Sequence, residues 1–260
     1  MDVTRPPQPN DKLGLRLSRL TTIMEQLRDP DAGCPWDTAQ NFASIAPYTI
    51  EESYEVADAI ERDDMNSLKD ELGDLQFQIV FHARMAEESG HFALSDVLDG
   101  ISNKMVRRHP HVFGDGEPGP GWEALKAAER AENGSDSALD GVATALPALL
   151  RAEKLQKRAA RTGFDWPDET GPLAKIDEEI EEVKCAKNDA QRSEEIGDLL
   201  FAVVNWARHL KIDPESSLRA ANAKFERRFR AMEQGTSDAF SGLTLDEMED
   251  LWDAAKRAEA

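Results

Sequence analysis

Two cysteines in 260 residues cannot frame a disulfide-stapled fold, so Cys34 and Cys185 leave stability to an ordinary core. Cationic residues are also scarce: 31 Lys and Arg stand against 51 Asp and Glu, a formal charge of −20. That balance opposes a nucleic-acid polymer as partner, because phosphate neutralisation needs a basic face. Long apolar runs are missing too. The most apolar stretch, Leu199 to Ala207, is interrupted by Asn205 and falls far short of a membrane span. The opening MDVTRPPQPNDK is polar and proline-rich, unlike a secretory signal, so a cytoplasmic protein away from the membrane is expected. There is no Gly-rich phosphate loop, no Cys/His spacing of a zinc site, and no alternating apolar run bounded by turns.

What is present is helical. At 40% hydrophobic residues the chain has enough apolar content to fold. Leu13, Leu17, Leu20, Met24 and Leu27 repeat at the spacing of one buried helical stripe. Helices are expected over about 43–62 and 65–89, from near Ser95 to before Pro110, and over 121–132. PDAGCPWDTAQNF (30–42) and HPHVFGDGEPGPG read as loops. In the second half, helices are expected near 147–161, 171–188, 192–210 and 214–233. A last one is capped by Thr244 with Glu247. The fold class is all-α, arranged as two tandem related helical-bundle domains: residues 1–132, a linker at 133–146 rich in small and polar residues, and 147–260.

The tandem arrangement rests on internal repetition. Trp36-Asp37, Glu51-Glu52-x-x-Glu55, Glu71-Leu72-Gly73-Asp74-Leu75, Lys104-Met105-Val106-Arg107-Arg108 and Trp122-Glu123-x-x-Lys126 follow one another in the first half. In the second, Asp165-Trp166, Glu178-Glu179-x-x-Glu182, Glu195-Ile196-Gly197-Asp198-Leu199, Lys224-Phe225-Glu226-Arg227-Arg228 and Trp252-Asp253-x-x-Lys256 keep that order. One acidic motif alone would mark a solvated helix face; five motifs in one order, twice, mark duplication.

Residues three apart on a helix project from neighbouring turns of one face. Glu179 with Glu182, and Glu195 with Asp198, would therefore converge if their helices pair antiparallel. Four converging carboxylates repel strongly in a low-dielectric site, and a hard cation such as Mg²⁺ resolves that repulsion. Gly73 and Gly197 lie between the carboxylates inside helical patterns, where either a ligand or a neighbouring helix could demand a glycine. Lys224, Arg227 and Arg228 add a basic cluster, and Trp252 an aromatic. Carboxylates, a metal and nearby cations suit phosphoryl chemistry on a polyphosphate.

The runs CPWDTAQ (34–40), IAPYTIEESYEV (45–56), DELGDLQFQIVFHA (70–83) and RRHPHVFGD (107–115) resemble the MazG family of nucleoside triphosphate pyrophosphohydrolases. GFDW (163–166), EEIEEV (178–183), EEIGDLLFAVVNWARHL (194–210) and NAKFERRFR (222–230) resemble the second domain of the same family. The resemblance implies Mg²⁺-dependent hydrolysis of nucleoside triphosphates to monophosphate and pyrophosphate, with Mn²⁺ as a substitute, by a homodimer. It implies Glu179, Glu182, Glu195 and Asp198 as metal ligands and catalytic groups. Lys175, Glu178, Lys224, Arg227, Arg228 and Trp252 would bind substrate, and Glu52, Glu55, Glu71 and Asp74 would form a second metal site. The C-terminal copy is the expected catalytic one: Lys175 stands four residues before Glu179, whereas Tyr48 stands four before Glu52. Wide apolar arcs in LQFQIVF and LLFAVV agree with dimerisation. The competing expectation is a non-catalytic helical scaffold or regulatory protein that binds nucleotide without turnover.

Overall fold

A computed structural model describes residues 12–114, 137–236 and 240–259. The expected helix at 121–132, with Trp122, Glu123 and Lys126, and the start of the expected linker lie outside those residues. The described residues are helical, with no strand among them. The chain divides into two compact units, Met1–Glu129 and Arg130–Ala260.

The first unit holds α1 (Lys12–Leu27), α2 (Pro35–Thr38), α3 (Phe42–Glu61), α4 (Met65–Glu88), α5 (Leu94–Arg108) and α6 (Pro110–Phe113). The one-turn helices α2 and α6 replace irregular loop. Both open on a proline, whose fixed φ and missing N–H suit a first helical position. Asn41 caps α3 by accepting from the backbone N–H of Ala43 and Ser44, and Asp64 caps α4 in the same manner. These caps place α3 and α4 side by side, with α1 and α5 also packed on α4. Met24, Ile45, Val80, Phe81 and Met85 form the core, and Leu20, Phe77 and Leu94 pack against it. Of the apolar stripe on α1, Met24 is fully buried whereas Leu13 is exposed.

The second unit holds α7 (Ala148–Arg161), α8 (Thr170–Cys185), α9 (Asp189–His209), α10 (Pro214–Gln234), a 3₁₀ turn at Phe240–Gly242, and α11 (Leu245–Ala258). α8 ends three residues short of the expected 188, because Asn188 is used to cap α9 through the Gln191 N–H. Asp213 caps α10 ahead of Pro214, and Thr244 and Glu247 cap each other's turn at α11. α8 and α9 pair as α3 and α4 do, and α7 lies against α9. Among the described residues, no helix is long and apolar enough to cross a membrane.

Candidate active site

The paired helices bring the repeated carboxylates together in both units. One oxygen from each of Glu179, Glu182 and Glu195 lies within 4.8 Å of the others. Glu52, Glu55 and Glu71 do the same in the first unit. Crowding is visible in their titration. Burial and the neighbouring carboxylates of Glu179 and Glu195 push the Glu182 carboxyl up. Burial and the charges of Asp74 and Glu55 raise Glu52, and burial with Glu55 and Asp74 raises Glu71. Asp74 thus sits close to its set, and Asp198 lines the same cavity as Glu179.

Glu179 is the singular member. It is 3% exposed, and its Oε2 is buried without a hydrogen-bond partner among the described residues. Its Oε1 pairs with the Lys175 ammonium at 2.6 Å, and Lys175 also donates to Glu178 at 2.9 Å. Those bonds, Glu179 first, hold the Lys175 pKa above its ordinary value. A buried, unpartnered carboxylate oxygen beside two further carboxylates is a costly arrangement for a chain by itself, and it is the donor set a hard divalent cation takes. The residues present fit such an ion.

Beside this cluster opens a cavity of about 770 Å³, within the range of small-molecule sites. Lys175, Glu179 and Asp198 lie on its wall, and Trp166, Phe201 and Asn205 extend it. Gly171 makes the Trp166 placement possible: a Cβ there would fall 2.1 Å from the indole Cδ1. The GFDW loop is fastened to α9 by Asp165, which accepts from the Arg208 guanidinium (2.9 Å to Oδ2) and contacts His209 at 3.1 Å. Arg208 holds the Asp165 carboxyl below its ordinary value.

The basic cluster is placed elsewhere. Lys224, Arg227, Arg228 and Trp252 are absent from the cavity wall. Arg227 and Arg228 both donate to Glu259, at 2.8 and 2.7 Å, tying α10 to α11, and Arg228 lies 5.7 Å from the Trp252 ring centroid. The glycines resolve one alternative. Among the described residues, a Cβ at Gly73 or Gly197 would meet nothing within 4 Å, so packing against them does not require either glycine.

Sequence reasoning found the carboxylates and Lys175 but missed Trp166, Phe201, Asn205 and Arg208 as cavity residues. Asn205 carried a readable signal, a lone amide in an apolar run.

Comparison with known proteins identifies the family. Residues 40–113 match the family model for the MazG nucleotide pyrophosphohydrolase domain. The chain is 50% identical to the nucleoside triphosphate pyrophosphohydrolase of Escherichia coli K12, over 94% of its own length and 98% of the relative's. It is 43% identical to the nucleoside triphosphate pyrophosphohydrolase/pyrophosphatase MazG of Thermotoga maritima, over 94% and 96%. A nucleoside triphosphate pyrophosphohydrolase of Mycobacterium tuberculosis is 31% identical over 94% of this chain and 66% of the relative. With relatives matched almost end to end, and with both carboxylate sets assembled, this chain belongs to the MazG nucleotide pyrophosphohydrolase family.

Proposed function

We propose that this protein hydrolyses nucleoside triphosphates, ribo- and deoxyribo-, to the monophosphate and pyrophosphate, and that the C-terminal unit does so with Mg²⁺, or Mn²⁺ in its place. The observation that carries this reading is the buried, unpartnered Glu179 oxygen at the edge of a cavity large enough for a nucleotide. Glu179, Glu182, Glu195 and Asp198 would hold the cation. Bound there, it would supply a Lewis acid for the phosphates and lower the pKa of a water.

The chain's own groups do the rest. Hydrolysis consumes one water, breaks the α–β phosphoanhydride bond and releases a proton. Lys175 stands at the cavity wall with its charge spent on Glu178 and Glu179. A divalent cation among the carboxylates would take over that neutralisation and leave the ammonium for a phosphate oxygen. The apolar side chains Trp166 and Phe201 would hold the nucleoside and keep bulk water from the reacting end. Assayed with mixed nucleoside triphosphates and Mg²⁺, the pure protein should yield monophosphate and pyrophosphate in equal amounts. Orthophosphate as the first product, or no turnover with any divalent metal, would refute the proposal; the latter would favour a nucleotide-binding scaffold.

We further propose a homodimer. Ile196, Leu200 and Val203 on α9, and Leu72 and Ile79 on α4, are large apolar side chains left exposed within their units. A second copy is also the source that could bring Lys224, Arg227, Arg228 and Trp252 to a cavity they do not line in their own chain. Sedimentation at the 28.9 kDa chain mass, rather than twice it, would refute the dimer.

A further inference from the structure

Two turns along α9 from Asp198, the cavity wall contains a fixed hydrogen-bond donor. Asn205 is 7% exposed and lies on that wall. Its Oδ1 accepts from the Arg208 guanidinium, at 2.9 Å from Nε and 2.6 Å from Nη2. A guanidinium only donates, so the amide orientation is decided: the oxygen faces Arg208 and the –NH₂ faces away from it. Arg208 is itself held by Asp165, so it cannot follow the amide, which would lose both of its own bonds by turning. The –NH₂ finds no partner among the described residues, and the small exposed part of Asn205 opens on the cavity.

Position decides what such a donor can meet. Asp198 and Asn205 are seven residues apart on α9, two helical turns, or about 10 Å along the axis at 1.5 Å per residue. Phosphates held near Lys175, Glu179 and Asp198 therefore put the nucleoside, not another phosphate, beside Asn205. Phe201 and Trp166 between them offer apolar faces of the kind a flat heterocycle stacks on. Neighbouring Gln156 is 6% exposed and clamped by its Nε2 to the Phe201 carbonyl at 2.8 Å, which stiffens this part of the wall.

We propose that Asn205 is a base-binding residue whose amide –NH₂ donates to an acceptor atom on the nucleobase, with Arg208 and Asp165 acting as positioning residues that fix its orientation. This rests on the nucleotide reading of the cavity given above. Adenine, guanine, cytosine and uracil all carry an edge acceptor next to a donor, so one amide donor recognises a base without selecting among the four.

The test is Asn205→Asp, which keeps the shape and the acceptor for Arg208 but replaces the donor by an acceptor. Affinity would be measured by calorimetry with Mg²⁺ for α,β-methylene-ATP, which cannot be cleaved at the bond in question, for ribose 5-triphosphate, which lacks a base, and for inorganic triphosphate. The variant should bind methylene-ATP about tenfold or more weakly, with ribose triphosphate and inorganic triphosphate unchanged. In ATP hydrolysis the loss should fall on KM rather than kcat. Equal weakening for all three ligands would make Asn205 structural. A loss retained for ribose triphosphate would move its contact to the sugar, and an unchanged affinity for methylene-ATP would overturn the proposal. Wild-type protein that binds methylene-ATP through Asn205 but turns over no triphosphate would sink the hydrolase reading and leave this one standing.

Discussion

The two units carry one carboxylate pattern and differ in what lies next to it. Aligned on Glu71 with Glu195 and Asp74 with Asp198, the helices α4 and α9 keep Phe77 with Phe201, Val80 with Val204 and Arg84 with Arg208, and differ between them. Phe81 stands where α9 has Asn205, and Gln78 where α9 has Ala202. Phe81 is 1% exposed, packed among Met24, Ile45, Val80 and Met85, with the Arg28 guanidinium 5.2 Å from its ring centroid. At the register where the second unit has cavity wall, the first has core. The basic partner differs as well. Lys175 neutralises Glu179, whereas Tyr48 packs edge-on against Trp36 at 6.0 Å. The carboxylates recur in both units, but the Lys175–Glu179 pair and the cavity beside it belong to the second.

The largest effect should come from the metal-type carboxylates. Glu179→Gln or Asp198→Asn is expected to lower turnover at least ~100-fold, since even slight misplacement of reacting groups has that cost. Glu52→Gln or Asp74→Asn should leave most of the activity. Steady-state assays with Mg²⁺ decide it, and an equally dead Asp74 variant would break the contrast between the units. Without metal, the Glu179→Gln variant should melt no lower than wild type, because the amide replaces the unpartnered oxygen by a donor beside Glu182 and still accepts from Lys175.

Next in size is a transplant of the first unit's solution into the second. Asn205→Phe should obstruct the cavity two turns from Asp198 and strongly weaken nucleotide binding, while Mn²⁺ binding at Glu179, Glu182 and Glu195 persists. Calorimetry with each ligand separately checks both halves. Loss of metal binding along with nucleotide would mean that the phenylalanine had disrupted α9 itself.

A smaller effect is expected at the paired glycines. Alanine at Gly73 or Gly197 meets open space in the chain and should gain about 1 kcal/mol of helix propensity at each. If a polyphosphate passes close to α9 alone, Gly197→Ala becomes more stable and less active, whereas Gly73→Ala becomes more stable and keeps its activity. Thermal melts beside kcat/KM test this, and a silent Gly197 variant would remove the ligand from that face.

The sequence-derived outline and the folded chain agree where information is local. Helix spans follow from the apolar period and the caps at Asp213 and Thr244, and the carboxylate clusters follow from spacing plus repetition. Disagreement begins where tertiary contact decides. Arg227 and Arg228, adjacent to Glu226 in sequence, both reach Glu259 at the far end of α11. Asn205 looks like an interruption of an apolar run until Arg208 and Asp165 are seen to aim it. Proline opened two single-turn helices inside segments that composition alone marks as loop. A cavity is a property of what surrounds it, so no period or motif along the chain announces it.

The smallest effect compares how each unit pins the loop that precedes its carboxylate helices. In the second unit, Asp165 of the GFDW loop reaches Arg208 on α9. In the first, Arg28 takes the carbonyls of Asp37 and Gln40, at 2.6 and 3.4 Å, and reaches Glu88 on α4 at 2.7 Å. Asp165 is held below its ordinary 3.8, chiefly by the Arg208 hydrogen bond against the opposing pull of burial. Burial would raise Glu88, but the Arg28 and Arg84 guanidiniums outweigh it and bring it below 4.5. A depressed carboxyl contributes stability that is full above its unfolded pKa and fades as pH falls through the folded value. Asp165→Asn and Glu88→Gln should therefore each destabilise at pH 7, by about 1 kcal/mol or less after solvent screening. Their deficits against wild type should close in order on acidification, Glu88 starting near 4.5 and Asp165 near 3.8. Urea melts from pH 7 to pH 3 measure both. A deficit at Asp165 that stays constant through pH 3 would show the contact to be packing rather than charge, and the loop would then be held by Trp166 against Gly171 instead.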